Sequence, residues 1–294
     1  MPDTEIDAIR ALLAASPRAA DMAERRARLD GFGARYPTAA DIRVQPVVAN
    51  GVAAEWTTAP GADPSRVLMF LHGGGYVSGS IASHRHMVAE AGRQAGARTL
   101  ALGYRLAPEH PFPAALEDAL DGYRFLLSQG FAARNIALCG ESAGGGLAVA
   151  TMVSLRDGGA PLPGCAWLSS PWVDLQMLGA SMDSKAAIDP LISRAYLQDL
   201  ARAYLDGTDP WAPLVSPLHA DLRGLPPLLI QTGTAETLMD DAIRLAGVAA
   251  AADVRVSLQA WPDMIHAWTL FYQDVAAGRR ALAEVGAFVR AGLG

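Results

Sequence analysis

The residues best suited to chemistry form the run Gly140-Glu141-Ser142-Ala143-Gly144, a G-x-S-x-G pattern that follows the apolar stretch Asn135–Cys139 and precedes a helix-length segment. A tight strand-to-helix turn there imposes strained dihedrals on Ser142 and carries its hydroxyl out at the strand's C-terminal end, as a nucleophile requires. Side chains at the flanking glycines would clash across the turn. The backbone N–H of Ala143 opens the helix and can point at a developing oxyanion. A chain of this composition holds such a run by chance roughly 0.15 times, so the motif needs company. It has company in His72-Gly73-Gly74-Gly75-Tyr76, directly after the apolar run Arg66–Leu71. Three consecutive glycines let backbone N–H groups approach a ligand free of Cβ, and an HGGG turn at this point supplies the other half of an oxyanion hole. Neither glycine cluster fits the phosphate-binding patterns GxGxxG or GxxxxGK(S/T). His72 reads as structural, holding its loop by hydrogen bonds.

A nucleophilic serine needs a base, and the base needs an orienting acid, in the chain order Ser, acid, His for sites of this kind. Of the six histidines, His72, His84, His86 and His110 precede Ser142. His219 lies ahead of the penultimate strand-like run and reads as a loop residue. His266, in Trp261-Pro262-Asp263-Met264-Ile265-His266, follows the last such run, from which a loop can return over the serine. It is the expected general base. The acid is expected just beyond Pro227–Thr232, where Glu236 is the first acidic residue. Asp240 is the alternative, although Asp240 and Asp241 also suit a helix start, where carboxylates complement the helix dipole. Asp263 reads as a turn residue. His84 and His86, two apart, do not share a helix face and have no matching acid or cysteine cluster, so no metal site is expected.

The elements that must position these groups can be read from the hydrophobic pattern. Ile6, Ile9, Leu12 and Leu13 repeat at helical spacing until Pro17, and a second helix is expected from Met22 to Phe32. Ile42–Ala49 and Val52–Thr57 read as two strands joined by Asn50-Gly51, a strong hairpin signal. Beyond them, apolar runs of strand length (Arg66–Leu71, Arg98–Tyr104, Asn135–Gly140, Gly164–Ser169, Pro227–Thr232 and Val254–Trp261) mostly alternate with helix-length segments such as His84–Ala95, Pro113–Ser128 and Ala143–Arg156. That alternation predicts an α/β fold with a mostly parallel sheet of about eight strands, buried on both faces, and an antiparallel edge. About 57 residues separate Gly164–Ser169 from Pro227–Thr232. So long a connection, with its own helical stretch Ser193–Leu205, predicts a lid.

Composition narrows the partners. The 294 residues are 51% hydrophobic and 18% charged, with 24 basic against 30 acidic side chains, which suits a large core and not a phosphate-tracking surface. No nucleic-acid partner is expected. The one basic cluster, Arg25, Arg26 and Arg28, is interrupted by Glu24 and Asp30 and reads as a solvated helix face. Cys139 and Cys165 sit in apolar runs and read as buried thiols. No stretch looks able to span a membrane, and no signal peptide is visible, so a cytoplasmic location is expected.

Taken together, HGGGY at 72–76, YRLAPEHPFPAALEDA at 104–119, GESAGGG at 140–146, SPWVDL at 170–175, TAETLMDDA at 234–242 and WPDMIHAW at 261–268 resemble the bacterial hormone-sensitive lipase-like esterases of the α/β-hydrolase superfamily. The resemblance runs in order from about residue 66 to the C-terminus. It implies Ser142 as nucleophile, His266 as base, and the N–H groups of Gly74, Gly75 and Ala143 as the oxyanion hole. It also implies a helical cap in two parts, residues 1–40 and 176–217, on a catalytic domain of 41–175 and 218–294. Two positions depart from the pattern. The residue before the serine, commonly Asp, is Glu141, and the triad acid, usually Asp, aligns with Glu236. The expected activity is hydrolysis of short- to medium-chain esters or small lactones, without metal or organic cofactor. The pocket is expected between sheet and cap, with Tyr76, Met177, Tyr196, Leu197, Trp211 and Phe271 as candidate lining residues. Arg105, Glu109, His110 and Asp118 read as a structural polar network near the HGGG loop. Trp172 and Asp174 read as supports of the pocket floor or the catalytic loop, or as packing residues. An amidase, a lipase and a catalytically inactive small-molecule receptor are the rival readings. Relatives suggest a homodimer.

Overall fold

The structure is a computed structural model that describes residues 4–16, 19 and 21–294. Pro17, expected to end the first helix, and the first three residues lie outside the described residues. The chain opens with two helices, α1 (Thr4–Ala14) and α2 (Met22–Arg35), followed by strands β1 (Arg43–Ala49), β2 (Val52–Thr58) and β3 (Asp63–Leu71). Helices and strands then alternate through α3 (Ile81–Ala95), β4 (Ala97–Gly103), α4 (Ala114–Ser128), β5 (Ile136–Glu141), α5 (Ala143–Asp157) and β6 (Cys165–Ser169). The inserted segment carries α6 (Ser181–Ser184) and α7 (Arg194–Leu205), and the chain closes with β7 (Leu228–Gly233), α8 (Met239–Ala251), β8 (Val256–Trp261) and α9 (Ala276–Gly292).

Among the described residues the strands form one eight-stranded sheet in the order β1-β2-β4-β3-β5-β6-β7-β8. The β1–β2 and β2–β4 pairs are antiparallel and the rest parallel. The first hairpin turns at Asn50 and Gly51, whose φ values of +50° and +94° are those that favour Asn-Gly in two-residue hairpins. Central strands β5 and β6 are buried at every position, which is why their sequences read as unbroken apolar runs. Edge strand β8 is half exposed despite its apolar sequence. Two large clusters fill the two faces of the sheet.

A third cluster shows what the N-terminal helices do. Ile6 and Ile9 of α1 and Tyr36 just after α2 pack with Met264, Ile265, Trp268 and Phe271. The amphipathic face of α1 is thus buried against the loop that carries His266. Each isoleucine fully buried there contributes about 1.5–3 kcal/mol. The basic cluster of α2 departs from its expected role as a solvated face. The Arg25 guanidinium lies 4.6 Å from the centroid of the Tyr196 ring in α7. Arg26 reaches down from α2 and donates to the backbone oxygens of Val77 at 2.8 Å and Ala107 at 2.9 Å, while pairing with Glu109. Of the three, Arg28 pairs along the helix with Glu24. Charge spacing along a helix does not reveal which row of side chains will meet another surface, so Arg26 looked solvated.

Candidate active site

Ser142 stands between the end of β5 and the start of α5 with φ +54° and ψ −121°, a combination that costs a non-glycine residue about 1–3 kcal/mol. The surroundings over-determine it. The Ser142 N–H donates to Ser169 O at 2.9 Å, and its carbonyl accepts from Trp172 N–H at 2.9 Å. The flanking glycines are sterically required. A Cβ on Gly140 would lie 2.1 Å from Gly144 O, and one on Gly144 would lie 2.0 Å from Leu71 O.

The base arrives from the other side of the sheet's C-terminal edge. His266 Nε2 lies 2.9 Å from Ser142 Oγ, and both residues are almost fully buried. On the far side of the ring, Nδ1 faces Glu236 Oε2 at 3.4 Å. That is a long contact, and hydrogen bonds of this kind commonly tighten only when substrate is bound. Glu236 is itself held. Ser170 Oγ donates to Oε2 at 2.7 Å and Thr232 Oγ1 donates to Oε1 at 2.5 Å. Burial raises the Glu236 carboxyl above its ordinary range, while His266, Thr232 and Ser170 hold that rise back. For His266, burial pushes the imidazole down, but the carboxylates of Glu236, Glu141 and Asp189 outweigh it and raise it to about 9. Asp240, the alternative acid, is occupied elsewhere: its Oδ2 accepts from the Ser181 N–H at 2.9 Å and fastens α8 to the inserted segment.

The oxyanion loop is shaped by backbone. Gly74 and Gly75 take φ values of +113° and +66°, and Tyr76 follows at +65°. A Cβ on Gly74 would sit 2.2 Å from Ser78 O, so only glycine fits. His72 braces the loop: its Nδ1–H donates to Gly73 O at 2.8 Å, and its ring stacks on Tyr104 at 4.2 Å between centroids. Burial and the neighbouring His84 drive the His72 imidazole down to about 3, which keeps it neutral. It does not approach Ser142 as a proton carrier. Together, a strained serine hydroxyl, an imidazole in hydrogen-bond reach, a carboxylate behind it and a glycine-built amide cradle can carry out nucleophilic acyl transfer.

The remaining sequence candidates fall into two groups. Tyr76, Leu197 and Met177 are buried in the cluster between the sheet and the inserted segment, where Tyr76 stacks on Tyr204 of α7 at 3.8 Å. Tyr196 is half-buried beside them. Leu200 of α7 comes so close to Gly75 that a Cβ there would meet it at 2.2 Å. Phe271 is elsewhere: the turn after His266 folds beneath α1 and α2, and its ring packs on Phe32 at 5.1 Å and Tyr36 at 6.3 Å. Trp211 is 50% exposed and packs on His219 on the outside of the inserted segment. His86 donates from Nε2 to Leu270 O at 2.8 Å and stacks on Tyr36, while His84 turns to Glu141, so the H-x-H pair diverges. Of the polar network, Arg105 and Asp118 bind each other in bidentate fashion, but Glu109 belongs to Arg26. Asp174 pairs with Arg244 at 2.6 Å, and Trp172 Nε1 donates to Asp174 O at 3.1 Å. Sequence reasoning missed three contributors, Ser170, Thr232 and Asp189. Asp189 accepts from the Thr237 N–H at 2.7 Å, tying the inserted segment to the Glu236 turn. A serine just past a strand, a threonine near a strand's end and a loop aspartate carry no distinguishing sequence signal.

Comparison with known proteins points the same way. A model of the alpha/beta hydrolase fold matches residues 68–270. An acetyl-hydrolase of Streptomyces hygroscopicus is 49% identical over 241 residues, covering 82% of this chain and 80% of its own. An esterase of Acinetobacter venetianus is 33% identical over 261 residues, covering 88% and 86%. The crystal structure of an esterase from the bacterial hormone-sensitive lipase family superposes with a TM-score of 0.97 at 44% identity, covering 100% of both chains.

Proposed function

This chain belongs to the α/β-hydrolase family and, as a carboxylic ester hydrolase of the bacterial hormone-sensitive lipase type, acts, we propose, through an acyl-enzyme on Ser142. The observation that carries the proposal is the 2.9 Å contact between Ser142 Oγ and His266 Nε2 at a strained strand-to-helix turn. Ser142 Oγ attacks the acyl carbonyl as His266 Nε2 takes its proton. Glu236 stabilises the imidazolium and fixes its orientation. The oxyanion is held by the N–H groups of Gly74, Gly75 and Ala143, each such donor being worth about 10² to 10³ in rate. His266 then gives its proton to the departing alkoxide, and water activated by the same base releases the acid.

The acyl group is proposed to be short. Ser142 is 6% exposed, and Leu200 and the Tyr76–Tyr204 stack close in over the oxyanion loop. The name acetyl-hydrolase borne by the Streptomyces relative supports the same size class. Tyr76, Met177, Tyr196 and Leu197 are proposed to line the acyl site, with residues 1–40 and 176–217 as the two parts of a cap. Two thiols left as thiols and the lack, among the described residues, of a helix long and apolar enough to cross a membrane support the proposed cytoplasmic location. Homodimerisation belongs to the proposal as well.

Hydrolysis of p-nitrophenyl esters from acetate to decanoate by wild type and Ser142→Ala, with matched thermal melts, tests the reading. Activity that peaks at acetate or butyrate and vanishes in a normally folded Ser142→Ala protein is expected. A well-folded wild type inert on every chain length would sink it.

A further inference from the structure

Glu141 is one of the two residues at which this sequence departs from its resemblance, and the mechanism above gives it no task. Its side chain is 4% exposed, and its two ion-pair contacts are both to imidazoles: Oε2 to His84 Nε2 at 3.1 Å and Oε1 to His266 Nε2 at 3.5 Å. The carboxylate packs close against the oxyanion loop: a Cβ on Gly73 would fall 1.9 Å from Oε2. Gly73 is therefore glycine to admit Glu141. His84 is fixed in turn, with Nδ1 2.8 Å from Ser83 Oγ in the capping box of α3. The Gly73 N–H also reaches His84 Nε2, at 3.3 Å, so Oε2 sits where the oxyanion loop and the α3 imidazole meet. That leaves Oε1 aimed at the nitrogen of His266 that exchanges protons with Ser142.

We infer that Glu141 is a positioning residue of the catalytic base: anchored by His84, it sets a second carboxylate at His266 Nε2, opposite Glu236 at Nδ1. This inference rests on the proposed role of His266. Its consequence is electrostatic. When His266 takes the serine proton, the imidazolium has a carboxylate at each nitrogen, and the base works at a higher pH than one carboxylate would set. The other titratable groups facing the pair are His72 and Tyr104 beside the oxyanion loop, His84 on α3, Glu236 after β7 and Asp189 from the inserted segment. An aspartate at position 141 would draw the carboxylate back by one methylene and give up one of its two contacts.

The test compares wild type with Glu141→Gln, which keeps the shape and removes the charge. Two readouts are followed: the pH profile of kcat/KM on p-nitrophenyl acetate, and the imidazole titration of His266 by NMR in a Ser142→Ala background. The catalytic base acts when neutral, so kcat/KM rises as pH climbs through the His266 titration. The inference expects both midpoints to move to lower pH by about one unit in Glu141→Gln, with kcat lowered and KM little changed. Unchanged midpoints overturn it, even if the rate falls. If Glu141→Gln does not fold, Glu141→Asp carries the same test with a smaller downward shift expected, and an unmoved midpoint is again decisive against it. The NMR readout separates this inference from the esterase reading: a wild type inert on all esters refutes that reading, whereas a His266 titration indifferent to residue 141 refutes this one.

Discussion

The two halves of the active site are built from different materials. The nucleophile half, made by the HGGG loop after β3 and the turn between β5 and α5, is held by backbone approaching backbone at glycines. Gly140, Gly144 and Gly74 each leave a space in which a Cβ would meet a carbonyl oxygen at 2.0–2.2 Å. The histidine half, made by the loops after β7 and β8, has one such approach, at Gly233, where a Cβ would meet Met264 O at 2.1 Å, and is otherwise held by side chains. Ser170 and Thr232 fix Glu236, Asp189 reaches in from the inserted segment, and α1 packs on Ile265 next to His266. The nucleophile half has no room for error and the histidine half has several partial supports. Added bulk should therefore unfold the first, whereas loss of one side-chain support should leave the second folded.

The largest effect is expected at Gly144→Ala. The new methyl group would meet Leu71 O at the end of β3 and His72 O at the start of the HGGG loop, neither of which can move without displacing that junction. A loss of about 3 kcal/mol or more is expected, seen as a fall in Tm or in soluble yield. Ser170→Ala, the counterpart in the histidine half, should fold normally and lose about tenfold in kcat, since it removes one of several bonds to Glu236. Equal loss of folding in both variants would erase the distinction between the halves.

Next comes the carboxylate itself. Glu236→Ala should lose about 10⁴ in kcat while still folding, the scale on which a misoriented histidine fails in serine hydrolases. Asp240→Ala should keep its kcat within about twofold and lose about 1 kcal/mol of stability, because its partner is the Ser181 N–H at the start of α6. The reverse ranking would move the acid to Asp240 and detach Glu236 from the mechanism.

The same contrast explains what could be read from the sequence. Backbone-built features leave composition signals: Asn50-Gly51 marked the hairpin because both residues take positive φ, and glycines on both sides of Ser142 marked the elbow. The central strands were visible because burial on both faces leaves only apolar residues. Side-chain partnerships leave no such trace. Glu141 and His84 lie 57 positions apart, and nothing local in either segment says that they meet. Arg26 reads as one charge in an alternating helix, and nothing near it in sequence points to the Val77 and Ala107 carbonyls that it binds. Phe271, expected to line the pocket, instead packs under α1 and α2, whose apolar faces also have to be buried. Glu236 is marked by its position after β7, whereas Ser170 and Thr232, which hold its carboxylate, carry no such mark.

The central claim is that Ser142, held beside His266, is the attacking group. It is tested most directly by reacting the protein with a small, activated phosphonate ester and mapping the adduct by mass spectrometry. The account predicts one adduct per chain, on the peptide containing Ser142, with loss of ester hydrolysis in proportion to labelling and no adduct in Ser142→Ala. Labelling at another residue that tracks the loss of activity, or full hydrolysis by the Ser142→Ala protein, would contradict it.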